Sequence, residues 1–309
     1  MSSTIGSLGD AEIVVTDSGV PAMRDRDTGE VMHPIVGPLV EVEAVYIAPS
    51  RLRERLVEAT DSPLVVFDVG LGAGTNAVLA FRESESRRFG SATGRKLEIV
   101  SFERALDSFD LARRPEHATA FGFDDHAVHA AEVLRERGVF ESPHTTWRLI
   151  HDDILEALER CERGRADITF WDPYSPKANA HMWTIGAFAL MRRCASESAT
   201  LHTYSGSTKV RSALLLAGFA VGTGDRASLD HKTLEPKSKI DFTTIAAANH
   251  EDLKNPLDQR WLERLSRSTL PFPSDLRCTS EEAFAAIRSM PQFGVISRFG
   301  DRASRGDRS

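Results

Sequence analysis

The stretch Leu64-Val65-Val66-Phe67-Asp68-Val69-Gly70-Leu71-Gly72-Ala73-Gly74-Thr75-Asn76 decides how the rest of the chain reads. Val65, Val66, Phe67 and Val69 form a short, β-rich apolar run of the kind that a strand buried on both faces requires. Residues 77–81 then turn helical, so the segment predicts a strand, a glycine turn and a helix. Gly70, Gly72 and Gly74 remove Cβ atoms at alternate positions. The backbone can therefore bend sharply and come close to a ligand, while the helix start offers unpaired N–H groups. Taken alone, G-x-G-x-G marks a tight strand-to-helix turn just as well.

Context adds weight. The next apolar run, Leu97-Glu98-Ile99-Val100-Ser101-Phe102-Glu103, ends in a carboxylate. At a strand's carboxyl end Glu103 is a candidate clamp for both hydroxyls of a ribose, and a solvated strand end is the plainer alternative. The dinucleotide fingerprint G-x-G-x-x-G would need glycine where this chain has Thr75. The tighter form suits a ligand without a pyrophosphate, such as S-adenosylmethionine, and disfavours a dehydrogenase.

Outward from this centre, strands are expected at 146–151, 166–171, 199–205, 219–221 and 240–246. Helices are expected at 51–59, 105–114, 126–137, 154–161, 182–193 and 208–217, the last closed by Gly218. The alternation predicts an α/β, Rossmann-like fold with a mostly parallel, doubly wound sheet of seven strands over residues 61–248. Residues 1–60 read as an arm whose first ten positions fray. A hairpin then turns at Asp17-Ser18-Gly19, placed so that it could lie over a site. Residues 83–96 read as a solvated, charge-mixed linker, 249–297 as helical additions and 298–309 as a disordered tail.

At 309 residues, 41% hydrophobic and 27% charged, the chain has the composition of a globular protein with a substantial core. Cys161, Cys194 and Cys278 show neither metal nor disulfide-framework spacing, which predicts free thiols and a reducing compartment. With no secretory leader and no apolar run near the roughly 20 residues of a membrane span, the expectation is a cytoplasmic protein without metal or membrane. A net charge of −7 argues against a broadly basic nucleic-acid surface, although local groups such as Arg51, Arg53 and Arg55, or Lys232, Lys237 and Lys239, can coexist with it.

Two strand ends carry further candidates. His151-Asp152-Asp153 offers an acid to an adenine amino group, with helix N-capping an equal reading. Trp171-Asp172-Pro173-Tyr174-Ser175-Pro176-Lys177-Ala178-Asn179 holds two prolines that keep the loop extended and stiff at the carboxyl edge of the sheet, where open α/β folds bind ligands. Met182 and Trp183 behind it read as core.

Residues 67–76, Ser101-Phe102-Glu103, Asp153, residues 172–183, Thr203-Tyr204-Ser205, Val210-Arg211 and Ala217-Gly218-Phe219 together resemble one family. It is the methyltransferase domain of bacterial tRNA 5-methylaminomethyl-2-thiouridine methyltransferase, MnmC-like, and the likeness covers about residues 12–246. That family's loop usually reads Asp-Gly-Phe-Ala-Pro-Ala-Lys-Asn-Pro before Met-Trp. Here Pro173-Tyr174-Ser175 and Lys177-Ala178-Asn179-Ala180 depart from it, which bears on the acceptor more than on the cofactor.

The resemblance implies a class I methyltransferase using S-adenosylmethionine. Gly70, Gly72 and Gly74, flanked by Asp68 and Asn76, would shape the methionine pocket; Glu103 would hold the ribose, and Asp152 and Asp153 would face adenine. Asp172 would stand at the reacting centre, with Tyr174, Lys177 and His33 as weaker candidates on the acceptor side. Two-domain members add an FAD-dependent oxidase half, for which this chain has no length, so a stand-alone methyltransferase is implied. Three readings of function stay open: an aminomethyl group on the tRNA wobble uridine, a small-molecule amine, or a non-catalytic nucleotide-binding module. Oligomeric state is not legible.

Overall fold

The computed structural model describes residues 3–17, 19–32, 37–86, 94–224 and 243–294. The chain opens with a small antiparallel sheet, β1 (Ser3–Leu8), β2 (Ala11–Val15) and β3 (Pro21–Asp25). The expected hairpin is β2–β3. Residues 3–8, expected to fray, instead form a third strand, and Gly6 shows how it packs: a Cβ there would sit 2.5 Å from His117 Nε2. Ile13 and Met23 anchor this sheet in the main core. Helix α1 (Pro38–Val42) continues into a π-helical turn, Glu43–Ile47, and α2 (Leu52–Leu56) starts from Arg51 and is shorter than expected.

The larger sheet begins with β4 (Leu64–Val69), every residue of which is buried, and α3 (Thr75–Ser86). There follow β5 (Leu97–Glu103), α4 (Asp107–Ala112), α5 (Asp125–Arg137), β6 (Val139–Glu141) and β7 (Thr145–His151). Next come α6 (Ile154–Arg160), β8 (Ala166–Trp171), α7 (Ile185–Cys194), β9 (Ala195–Thr203) and α8 (Thr208–Leu216). The elements β10 (Ala220–Thr223), β11 (Thr244–Ala247), α9 (Gln259–Ser266) and α10 (Ser280–Arg288) complete the order.

The strands lie in the order β10-β11-β9-β8-β4-β5-β7-β6. Five central strands run parallel, and β6, β10 and β11 pair antiparallel at the two edges. The sheet has eight strands rather than the seven expected. The addition, β6, is only three residues long, too short to show as a period in the sequence, and is fixed through buried Phe140. Residues 83–86 are not linker but the end of α3, held because Ser84 and Glu85 are buried, with Ser84 Oγ donating to His144 O. Residues 87–93, the 240–242 part of the last expected strand, the three lysines and the 298–309 tail lie outside the described residues.

Apolar side chains cover both faces. Phe81, Phe109, Trp147 and Phe170 centre one cluster, and Phe67, Trp171, Phe188 and Leu214 the other. From β4 the chain steps one way to β5 and β7, then returns to β8 and β9 on the other side. The carboxyl ends of β4 and β8 therefore border a topological switch point, where a doubly wound sheet leaves a crevice.

Candidate functional site

At that crevice β4 leaves the sheet through the glycine turn. Gly70, Gly72 and Gly74 have φ of 87°, 53° and 87°, a region that side chains with a Cβ rarely adopt. The N–H groups of Gly70 and Leu71 both donate to Phe102 O, at 3.1 and 3.2 Å, and tie the turn to β5. A Cβ on Gly70 would stand 2.8 Å from Asp172 O, so glycine lets the two strand-end loops touch. Gly74 has another role than the one expected. Its missing Cβ makes room for the Phe109 ring, 2.8 Å away, and Gly74 does not line the cavity.

The crevice holds a cavity of about 270 Å³ bordered by Gly70, Gly72, Asn76, Glu103, Asp172 and Tyr174. Glu103 Oε2 accepts from Gly72 N at 3.0 Å, and Oε1 accepts from the N–H groups of Arg104 and Ala105. The carboxylate is thus fixed in place. Asp172 is held from two sides: Tyr46 O–H donates to Oδ1 at 2.6 Å and Asn76 Nδ2 to Oδ2 at 2.8 Å. Its loop is tethered as well, since Tyr204 O–H donates to Pro173 O, Trp183 Nε1 to Tyr174 O and Ser175 N to Glu30.

Seven carboxylates line this cavity, those of Asp10, Asp25, Glu30, Glu41, Glu103, Asp107 and Asp172. None of the described lining residues is Lys, Arg or His. Five of the seven come from outside the two strand ends that the sequence singled out. Burial, with Asp172 and Glu41 adding to it, pushes the Tyr46 hydroxyl well above its usual range; Tyr204 rises through burial and then Asp172, Glu30 and Glu41. Tyr174, whose O–H donates to Asp25 at 3.3 Å, rises mainly through burial and then Asp25 and Glu103. All three stay protonated and remain hydrogen-bond donors.

Several expected site residues stand elsewhere. Asp68 is wholly buried beneath the turn and outside the cavity lining, accepting from Ser101 Oγ, which in turn accepts from Trp147 Nε1. Burial pushes its carboxyl up to about 7. Asp153 caps α6, taking the N–H groups of Leu155 and Glu156, and Asp152 pairs with Arg160; neither lines the cavity, although the neighbouring Ile154 does. Lys177 is exposed, because the loop turns outward after Pro176, and Asn179 lines the cavity instead. Met182 and Trp183 are core. His33 lies outside the described residues.

Sequence reasoning missed Tyr46, the arm carboxylates and Met32. Tyr46 sits in an apolar helical run in which one hydroxyl breaks no pattern, and nothing local marks it as a partner of an acid 126 positions away.

The polar atoms left over at this cavity bear on what fits it. Thr75 Oγ1 and Asn76 Oδ1 are buried in residues of the lining and have no hydrogen-bond partner among the described residues. Such orphans favour a polar ligand. Gly72 leaves space, a Cβ there coming no nearer than 3.4 Å to any neighbour, Met32 Sδ. A bare backbone, orphaned hydroxyl and amide oxygens, and a fixed carboxylate at the end of β5 fit the amino-acid and ribose parts of S-adenosylmethionine. Among the described residues there is no group of three His, Cys, Asp or Glu able to hold a metal, and no helix is long and apolar enough to cross a membrane.

Comparison with known proteins agrees with this geometry. Residues 126–234 match a family model described as S-adenosyl-L-methionine-dependent methyltransferase. The bifunctional tRNA 5-methylaminomethyl-2-thiouridine biosynthesis protein MnmC of Vibrio cholerae serotype O1 is 28% identical over 261 residues, 78% of this chain and 37% of that protein. Its counterpart from Pseudomonas syringae pv. syringae is 31% identical over 68% of this chain and 31% of that protein. The chain thus spans about a third of the length of these relatives. Among solved structures, MnmC2 from Aquifex aeolicus matches the fold with a TM-score of 0.68 at 23% identity, covering 91% of this chain and 83% of that one. Spermidine synthase from Thermotoga maritima matches at 0.50 and 15% identity, covering 93% and 84%. The chain belongs to the S-adenosyl-L-methionine-dependent methyltransferases and is homologous to a region of the bifunctional MnmC proteins.

Proposed function

We propose that this enzyme N-methylates an amine, and that the amine is the aminomethyl group of a tRNA wobble uridine. The observation that carries the reading is Asp172, a carboxylate aimed by Tyr46 and Asn76 into a cavity lined with acids. An acid wall attracts a protonated amine and stabilises the positive charge that grows on nitrogen as it is alkylated. It would repel a phosphate or a carboxylate acceptor. The names of the relatives supply the finer reading of the acceptor.

In this reading Gly70 and Gly72 present bare backbone to the methionine part, Thr75 and Asn76 supply its polar contacts, and Glu103 takes the ribose hydroxyls. S-adenosylmethionine would supply a methyl carbon on a sulfonium. The attracted amine sheds a proton to Asp172, which orients the freed lone pair toward that carbon. The nitrogen–carbon bond forms as the carbon–sulfur bond breaks to a neutral thioether, while Tyr174 and Tyr204 wall the acceptor and keep water away. The N-terminal sheet serves as a cover, since Asp10, Asp25, Glu30 and Met32 close one side of the cavity. We place the enzyme in the cytoplasm.

The test uses methyl-labelled S-adenosylmethionine with tRNA that carries aminomethyluridine, with tRNA lacking it, and with a panel of small primary amines. Label should enter the first alone, as methylaminomethyluridine by mass spectrometry. Label confined to the small amines would replace the tRNA reading.

A further inference from the structure

The helical segment that carries Tyr46 also borders a second cavity. Tyr46 reaches Asp172, and from Ala48 to Arg55 the chain walls a space of about 580 Å³ over the face of β9, β10 and β11. The linking turn, Glu43–Ile47, is π-helical, a form that concentrates at functional sites. Arg51, Arg55 and Arg95 line one side of the space, and Thr200 and His202 of β9 belong to its lining.

Arg51 is the sole non-glycine residue at positive φ (55°) among the described residues, and its guanidinium makes no ion pair or hydrogen bond with any of them. Strain of this kind persists where the surroundings enforce it, often at binding sites. His202 is 1% exposed, and its Nδ1 has no partner among the described residues. Burial and then the nearby Arg55 push this imidazole down to about 3, so it is neutral. Its Nε2 lies 3.0 Å from Thr200 Oγ1; with that hydroxyl donating, Nδ1 carries the proton and is a buried donor without an acceptor. Arg55 is itself held below the usual guanidinium range by burial, to which Arg95 and Arg51 add.

Four acids share the lining. Glu58 accepts from Arg95, and Asp167 lies 3.6 Å from Arg95 and 4.0 Å from Arg55 while accepting from Val65 N and Ser196 Oγ. Asp167 is committed to the inner wall, and Glu58 is an exposed partner of Arg95. Glu251, Asp252 and Lys254 are exposed. The Arg51 side chain is exposed and has no described partner, Arg55 donates Nη1 to Asp167 O and has its Nε left over, and His202 Nδ1 is a buried donor without a described acceptor.

We propose that this second cavity binds a phosphate group, held by the Arg51 and Arg55 guanidinium groups and by His202 Nδ1. Guanidinium forks match phosphate oxygens in pairs, and a buried neutral imidazole adds a donor without the cost of a buried charge. The phosphate comes from the backbone of the acceptor RNA or from a free phosphate ester. The RNA source rests on the tRNA reading above. It would explain how an enzyme with an acidic reaction cavity holds a polyanion, the amine entering the acid side while a phosphate docks on the arginine side.

Arg51→Gly tests the proposal on the full chain. Glycine relieves the strained φ, so without ligand the variant should melt higher than the parent, whereas a merely structural Arg51 would melt lower on removal. Inorganic phosphate should raise the melting temperature of the parent, and the variant should need about tenfold more phosphate for the same shift. With undermodified tRNA the variant's KM should rise about fivefold and its salt slope fall by about one, with KM for S-adenosylmethionine unchanged. A phosphate effect without a tRNA effect assigns the site to a free phosphate ester, and it stands even if tRNA proves not to be the acceptor. Equal phosphate response in parent and variant overturns the proposal.

Discussion

The two cavities are bordered by successive parts of one helical segment, Glu41 and then Ala48 to Arg55, and differ in charge, the first acidic and the second balanced. The reaction cavity has seven carboxylates and no described base in its lining; the second sets three arginines and a lysine against four acids, two of them paired with Arg95. Beneath each lies one fully buried titratable side chain, Asp68 by the first and His202 in the second. Burial moves the carboxyl up to about 7 and the imidazole down to about 3, in each case favouring the uncharged form. The comparison separates two effects often merged. Desolvation acts on a buried group whatever its sign, and the charged groups around the opening select the ligand.

The largest test of that division is Asp172→Asn. If the acid side exists to stabilise charge on nitrogen, kcat should fall by about 10³ while affinity for S-adenosylhomocysteine, by calorimetry, stays within about threefold. A variant that keeps most of its turnover would show that the acid wall only attracts the amine.

The buried pair gives opposite pH slopes. Asp68, raised above its unfolded value of 3.8, stabilises the fold fully below that value and loses the contribution as pH climbs through about 7. His202, lowered from 6.5, contributes above that value and loses it as pH falls toward about 3. Relative to the parent, Asp68→Asn should therefore gain stability from pH 4 to 8, and His202→Gln from pH 7 to 4. Asp68→Asn should gain on the order of 4 kcal/mol by urea unfolding, about three pH units at about 1.4 kcal/mol each, and His202→Gln on the order of 3 kcal/mol, since its window holds about 2.5 units below 6.5. Matching slopes in the two variants would break the comparison.

A smaller effect isolates the contact between loops. Gly70→Ala combines φ of 87° with a Cβ 2.8 Å from Asp172 O and should cost about 3 kcal/mol, read as a lower melting temperature with weakened turnover. Gly138→Ala, at φ 73° with nothing within 4 Å, carries the backbone penalty alone, about 1 kcal/mol, and should leave turnover unchanged.

These positions also show what was legible in the sequence. β4, β5 and β8 stand within a residue of the expected ranges because a strand buried on both faces must be apolar throughout, and Glu103 and Asp172 follow from being acids at the ends of such strands. β1 was missed because Ser, Thr and Gly carry no apolar period, and its place depends on Gly6 fitting against His117. Asp153 had two readings because an acid before a helix looks alike as a cap or as a ligand; its side chain takes the cap hydrogen bonds. The acid character of the cavity was hidden for a different reason. Asp10 lies in a turn, Asp25 ends β3, Glu30 lies in the loop after it and Glu41 in α1, each ordinary as a surface acid, and only the folded arm gathers them.

Tyr46→Phe is the finest probe, because Tyr46 lies on the turn that joins the two cavities. It removes one hydroxyl from a fully buried ring and with it a donor that aims Asp172. The Asn76 donor remains, so the carboxylate is still held but less firmly directed. Positioning lost in this way should lower kcat about tenfold, with KM for S-adenosylmethionine unchanged and stability reduced by about 1 kcal/mol. The phosphate response of the second cavity should stay at the parental value, since Arg51 and Arg55 lie beyond the point where the hydroxyl acts. A loss of phosphate response in Tyr46→Phe would mean that the π-helical turn transmits the acceptor's position from one cavity to the other, and the two sites would then have to be treated as one.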